Sequence, residues 1–220
     1  MIITSKSMNL EDSPVRQPPR RRRQNFIVNF PSLKNGRSIE CESVLESSYC
    51  VWLEYLPSVL RYYTQPHTFT WVDELKRYHY TPDFFVLLKN DESYFCEVKH
   101  DFAKQRQSRL DKLASFQRLC KQEGWIFHRQ NQENLTSSPL FQSIKTLYSR
   151  SRHVNEQQEL HFRNYSRHRI WPTTLGELIA DKAGPNDSTI YYYLFTKRLT
   201  ADLTQRITLN LKVDWTPSHA

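Results

Sequence analysis

Two apolar, aromatic runs carry charge where a strand interior rarely tolerates it. The first is Tyr80-Thr81-Pro82-Asp83-Phe84-Phe85-Val86 and the second is Tyr94-Phe95-Cys96-Glu97-Val98-Lys99. Between them, Lys89-Asn90-Asp91-Glu92-Ser93 is polar and predicts a hairpin connection. Residues i and i+2 of a strand face the same side. Glu97 and Lys99 therefore share a face, while Val98 points the other way, towards a core. Neighbouring strands lie about 4.8 Å apart, so Asp83, fourteen positions before Glu97, reaches the same ligand. Charges in such a run are costly unless they are paired or metal-bound. Pro82 fits the start of a strand or a bulge. A solvated face with a cross-strand charge pair gives the same bare pattern. Oxygen donors beside a lysine equally suit a divalent cation.

Composition narrows the field. At 220 residues the chain holds one medium domain or two small ones, and 38% hydrophobic with 13% aromatic content is enough for a packed core. No apolar run approaches the length of a membrane helix. The opening Met1-Ile2-Ile3-Thr4-Ser5-Lys6 lacks a secretory apolar core. Cys41, Cys50, Cys96 and Cys120 have no C-x-x-C or disulfide-framework spacing and read as reduced thiols of a cytoplasmic protein. No histidine pairs with a cysteine at zinc-finger spacing. The net charge of +8 is uneven: +5 over residues 1–40, zero over 41–130 and +3 over 131–220. Basic flanks around a neutral middle suit a polyanion partner, although solubilising charge gives the same balance.

Residues 1–24 predict a flexible basic arm, ending near Pro18-Pro19 and the run Arg20, Arg21, Arg22 and Arg23, which suits phosphate or minor-groove contact. Phe26 to Phe30 predicts a short strand. Arg37 to Cys41 leads into a helix from Glu42 to about Leu56, with Leu45, Tyr49, Trp52, Leu53 and Leu56 at helical spacing and Pro57 at its end. A hairpin follows over 69–80. Its second strand is expected to run on through Asp83 to Leu88, and a third strand spans Tyr94 to Lys99. A helix is predicted from Ala103 to about Glu123, stopped by Gly124, then a strand over 125–128. The expected architecture is thus α/β, a restriction-endonuclease-like mixed sheet flanked by helices over residues 25–134. A linker then leads to a C-terminal domain, 135–220. There, helices over 140–150, 175–183 and 186–199 and strands over 200–203 and 207–213 outline a winged helix; a small α+β protein-binding domain fits the same pattern.

A metal-dependent phosphodiester chemistry needs a further carboxylate from the early helix. Glu46 is the candidate, but Ser43-x-x-Glu46 is also a capping box, and Glu42 and Glu54 remain open by helix geometry. A Pro-Asp, a gap and a Glu-x-Lys form the PD-(D/E)xK metal-nuclease signature. Three stretches further resemble the TnsA family, the transposon-end endonucleases of heteromeric transposases. They are Glu42-Ser43-Val44-Leu45-Glu46 with Trp52-Leu53-Glu54; Leu60-Arg61-Tyr62-Tyr63-Thr64-Gln65-Pro66; and Tyr80-Thr81-Pro82-Asp83-Phe84 with Glu97-Val98-Lys99.

The resemblance implies a catalytic triad of Glu46, Asp83 and Lys99. It places Glu97 where the family accepts Gln or Glu. The implied activity is a Mg²⁺-dependent DNA endonuclease, with Mn²⁺ as a substitute, that nicks the 5′ ends of a transposon. Glu46, Asp83 and Glu97 would hold the metal. The implied partners are double-stranded transposon-end DNA, a transposase that cuts and joins the 3′ ends, and its ATPase regulator, in a bacterial cytoplasm. Gln65 and His100 are candidates for support of the site, and Lys104, Arg106 and Arg109, expected on the following helix, for phosphate contact. A stand-alone nuclease and an inactive DNA-binding scaffold are the alternatives.

Overall fold

The computed structural model describes residues 27–151 and 153–215. The arm, with Arg20, Arg21, Arg22 and Arg23, lies outside the described residues. The chain divides into two compact units, one ending at Leu135 and the other beginning at Thr136.

The first unit is a mixed α/β structure. Strands β1 (Val28–Ser32) and β2 (Arg37–Cys41) form an antiparallel pair ahead of helix α1 (Val44–Tyr55). The central sheet has the order β3-β6-β7-β8, made of β3 (Val59–Thr64), β6 (Phe84–Leu88), β7 (Ser93–Lys99) and β8 (Ile126–Asn131). Its first three strands are antiparallel, and β8 joins parallel to β7 through helix α2 (Gln107–Gln122). A parallel neighbour requires such a crossover.

Alternation along the strands divides two cores. Phe85 and Phe95 face α2 and pack with Leu113, Phe116 and Cys120. Phe84 faces α1, where its ring meets Tyr49 edge-on at 5.0 Å. The predicted single strand through Asp83 is in fact two. Strands β4 (Phe69–Asp73) and β5 (Lys76–Tyr80) form a separate hairpin, and the chain breaks over residues 81–83 before β6 begins in the central sheet. Pro82 has no N–H to give to a ladder, so pairing stops there. The hairpin packs on α2: Trp71 Nε1 donates to Ser115 Oγ at 2.9 Å, and Arg118 meets Asp73 at 2.5 Å. The strand β3 was not anticipated. A bulge between Val59 and Arg61 breaks its alternation, so the sequence shows no period of two. A short helix, α3 (Gln132–Thr136), with Leu135 buried, stands where a linker was expected.

In the second unit, α4 (Pro139–Arg150) packs against α7 (Asp187–Phe195). Between them in sequence come α5 (Glu156–His168) and α6 (Leu175–Ala180). A three-stranded sheet has the order β10-β11-β9, from β9 (Thr173–Thr174), β10 (Leu199–Thr200) and β11 (Lys212–Trp215). The helix α5 was not predicted, and the last strand lies later than its expected 207–213. Glu159 on α5 ties this unit together, accepting from Tyr193 at 2.5 Å and pairing with Arg163 at 2.9 Å and with Arg198.

The β4–β5 turn generates a testable expectation. Asp73 pairs with Lys76 across Glu74 and Leu75, whose φ values are +49° and +64°. Left-handed backbone costs an L-residue roughly 1–2 kcal/mol, and Leu75 recovers nothing because it is 102% exposed. Leu75→Gly should therefore stabilise the protein by about 1 kcal/mol, seen as a raised midpoint in urea unfolding. A lowered midpoint would contradict the turn assignment.

Candidate active site

Three chain segments meet at the end of β7. Pro82 ends the hairpin pairing and leaves Asp83 in a bend, from which its carboxylate turns onto the last residues of β7. Asp83 Oδ2 accepts from Val98 N–H at 2.8 Å and from Lys99 Nζ at 2.8 Å. Lys99 Nζ also lies 3.0 Å from Glu97 Oε1 and donates to the Val98 carbonyl at 2.9 Å. Asp83, Glu97 and Lys99 are thus one ion-paired cluster.

Glu97 is 0% exposed. Its Oε1 takes Arg109 Nη2 at 2.9 Å and its Oε2 takes the Tyr80 hydroxyl at 2.5 Å. Burial pushes its carboxyl up, but Lys99, Arg109 and Tyr80 outweigh this and hold it below the usual range. Burial works against the charge on Lys99, and the carboxylates of Asp83 and Glu97 more than restore it, so the ammonium is held above its usual value. Asp83 behaves oppositely. Burial, with the like charges of Glu97 and Glu46, outweighs the opposing ammonium of Lys99 and pushes it up to about 8.

Glu46 enters from the first turn of α1. Ser43 caps this helix by accepting from Glu46 N–H at 3.1 Å. The Glu46 side chain accepts from Glu42 N–H at 2.8 Å and from Ser43 Oγ at 3.0 Å. It is also buried, which raises its carboxyl above the ordinary value. Capping geometry and a place in the cleft therefore coexist in one residue. Glu54 is elsewhere, accepting from Ser32, Lys34 N–H and Tyr62.

A cleft of about 280 Å³ gathers Glu42, Glu46, Gln65, Asp83, Lys99, His100 and Arg109 on its wall. Two of its oxygens, Glu42 Oε1 and Gln65 Oε1, are buried with no hydrogen-bond partner among the described residues. Gln65 is 6% exposed and has a left-handed backbone, φ +46°, fixed where its N–H donates to the Asp83 carbonyl at 2.9 Å. A buried oxygen without a donor costs about 1–3 kcal/mol, and two beside a proton-retaining carboxylate make a cation-seeking wall. The side-chain oxygens of Glu42, Glu46, Gln65 and Asp83 are hard donors, which suit Mg²⁺. Among the described residues, however, no group of three or more acidic, His or Cys side chains is already drawn together as a metal cage. Glu97 is turned into the protein and does not line the cleft.

The remaining candidates separate. His100 is exposed, with Nδ1 2.6 Å from Gln132 Oε1. Lys104 and Arg106 are not on the helix, because α2 starts at Gln107; Asp101 holds the preceding turn by accepting from Ala103 N–H at 2.8 Å. Lys104 pairs with Asp101 at 3.4 Å. Arg109 is helical and at the site, but its partner is Glu97. Tyr80 also belongs to the site, although motif spacing does not single it out. Its signal was a tyrosine at the buried end of an aromatic strand, whose hydroxyl needs an acceptor.

These charges predict a pH dependence. The folded Asp83 carboxyl titrates near 8 and an ordinary one at 3.8. Between these values the folded state holds the extra proton, so this group lowers stability as pH rises through that window. Asp83→Asn keeps an acceptor for Val98 and removes the charge. In a metal chelator it should be more stable than wild type by about 1–3 kcal/mol at pH 8, with the gap closing towards pH 4. Melting curves at the two pH values check this. An unchanged or lowered melting temperature at pH 8 would contradict the raised Asp83.

No curated protein matches the chain. Residues 56–130 match the family model of the TnsA-like endonuclease N terminal domain. The match runs from the approach to β3 to the end of the β8 pairing with β7, and it includes Asp83, Glu97 and Lys99 while α1 and Glu46 precede it. Over these residues the chain is similar to a TnsA-like endonuclease N-terminal domain.

Proposed function

We propose that the protein is a divalent-metal DNA endonuclease that nicks the 5′ ends of a transposon beside a separate transposase acting at the 3′ ends. The observation that carries this reading is the cleft wall. Asp83 and Glu46 stand there with two partnerless buried oxygens and the Lys99 ammonium, and Asp83 and Lys99 fall within the TnsA-like endonuclease match.

Glu46 and Asp83, with the oxygens of Glu42 and Gln65, would hold Mg²⁺ or, in its place, Mn²⁺. The cation, when bound, supplies Lewis-acid polarisation of the phosphate and a water acidic enough to attack it. Lys99 stays protonated, so its part is to orient the attacking water or to support charge growing on the phosphate. Glu97 acts through Lys99: its buried carboxylate fixes the ammonium beside Asp83. No covalent intermediate on the protein is needed. The first unit follows a restriction-endonuclease-like plan in this reading. The second unit, a helix–strand assembly of winged-helix type, docks the transposase or its ATPase regulator, and the basic arm follows DNA.

Strand-specific mapping of cuts on a transposon-end duplex, with and without the cognate transposase, tests the reading. Expected are nicks at the 5′ ends that need Mg²⁺ and fall by at least a hundredfold in Asp83→Ala and Lys99→Ala, an order set by loss of a preorganised electrostatic group. Glu46→Gln keeps an acceptor for the helix start and should lose cutting with little change in melting. Full cutting by Asp83→Ala in Mg²⁺ would overturn the assignment. Efficient cutting of any duplex without a partner would replace it with a stand-alone nuclease.

A further inference from the structure

A second depression, of about 640 Å³, opens beside the cleft between the β4–β5 hairpin and the start of α2. Lys76, Arg77, His79, Arg109 and Lys112 line it, together with Thr68, Tyr78, Thr81 and Ser108. None of its lining residues is acidic. The nearby acids of the hairpin tip are already engaged, because Arg118 holds Asp73 at 2.5 Å and reaches Glu74 at 3.8 Å. Lys76 and Arg77 are exposed, and Lys76 lies 5.2 Å over the Tyr78 ring. The start of α2 adds to the same potential. Its N-cap, Arg106, offers no side-chain hydrogen bond to the first turn, and Ser108 of that turn faces the groove. The positive end of the helix dipole is therefore open to an anion.

Thr81 and Arg109 line both depressions, so the groove runs into the catalytic cleft. We infer that this groove carries the phosphate backbone of the substrate duplex on one side of the scissile bond. The inference rests on the endonuclease reading and adds to it the path of the DNA. A groove lined by basic and polar side chains with no acid among them, ending in a wall of carboxylates, suits a ligand with repeated anionic charge that ends in a cation-dependent reaction at one phosphate. Its length fits as well. At about 3.3 Å per residue, Lys76 stands roughly 13 Å from Tyr80 along β5. That distance corresponds to about four base-pair steps of 3.4 Å. Tyr80 adjoins Thr81, which lines both depressions, so the far end of the groove lies about four base-pair steps from the cleft. Lys104 and Arg106, singled out by sequence, do not line it.

The test measures binding of a transposon-end duplex to the full chain by fluorescence anisotropy in a metal chelator, as a function of salt. Wild type is compared with the triple variant Lys76→Gln, Arg77→Gln, Lys112→Gln. None of these residues belongs to the catalytic cleft, and melting curves confirm the fold. Each phosphate contact contributes about 0.9 to the slope of log affinity against log salt. The variant should lose about 2–3 from that slope and weaken roughly tenfold or more at 0.1 M salt. Its Mg²⁺-dependent thermal shift should equal that of wild type. Hydroxyl-radical footprints should lose protection about four base pairs to one side of the nick. Unchanged affinity and slope in the variant would overturn the groove while leaving the endonuclease reading intact if nicking persists. Weakened binding by the variant, with no nicking by wild type under any condition, would leave the groove standing and remove the endonuclease reading.

Discussion

The buried carboxylate of Glu97 is the interaction on which the rest of the first unit depends. It is wholly sealed from solvent and is met by groups from three elements: Lys99 on β7, Arg109 on α2 and Tyr80 on β5. Removing one partner from such a pair costs about 3–5 kcal/mol, because a buried charge is left uncompensated. The hairpin, the crossover helix and the sheet are therefore held to one point. The same point fixes the Lys99 ammonium against Asp83, so fold stability and the placement of the candidate catalytic lysine are one arrangement.

The other carboxylates are in tension. Asp83 has one ammonium facing it and two like charges near it, and its proton is retained to about pH 8. Glu46 is raised by burial at the mouth of the same cleft. Glu42 and Gln65 add oxygens without donors. A protein selected for stability alone would relieve these with a lysine or a hydrophobic side chain. A bound cation, as proposed, would answer all of them at once. Strain of this kind collects at functional sites, and here it appears as an observed left-handed Gln65 and two partnerless oxygens rather than being assumed from function.

How much was legible in the sequence follows from what each residue has to satisfy. The i, i+2 placement of Glu97 and Lys99, and the reach of Asp83, depend only on strand geometry and a short turn, so local rules found them. Helix α1 and its Ser43 cap were likewise local. The misses are tertiary. A bulge hid β3, and Pro82 divided one expected strand between two sheets. Helix α5 carries few buried apolar residues, so no apolar stripe marked it. Arg109 reads from the sequence as a phosphate contact, and that it also pairs with Glu97 has no local signal, because only folding brings the two together. Spacing left Glu42, Glu46 and Glu54 equivalent. The fold separates them, with Glu54 tied to Ser32 and Tyr62, and Glu42 and Glu46 in the cleft. The α/β class of the first unit was readable, since it rests on alternation and on a crossover helix between β7 and β8.

The central claim is that this wall of oxygens is a divalent-cation site. The most direct measurement is anomalous diffraction from crystals of the full chain grown in Mn²⁺. The account predicts an anomalous peak in the cleft, with oxygens of Asp83 and Glu46 and at least one of Glu42 Oε1 and Gln65 Oε1 as ligands, and with Glu97 still bound to Lys99 and Arg109. A cleft without a peak at millimolar Mn²⁺, or a peak bound through Glu97 with Glu42 and Gln65 unchanged, would contradict it.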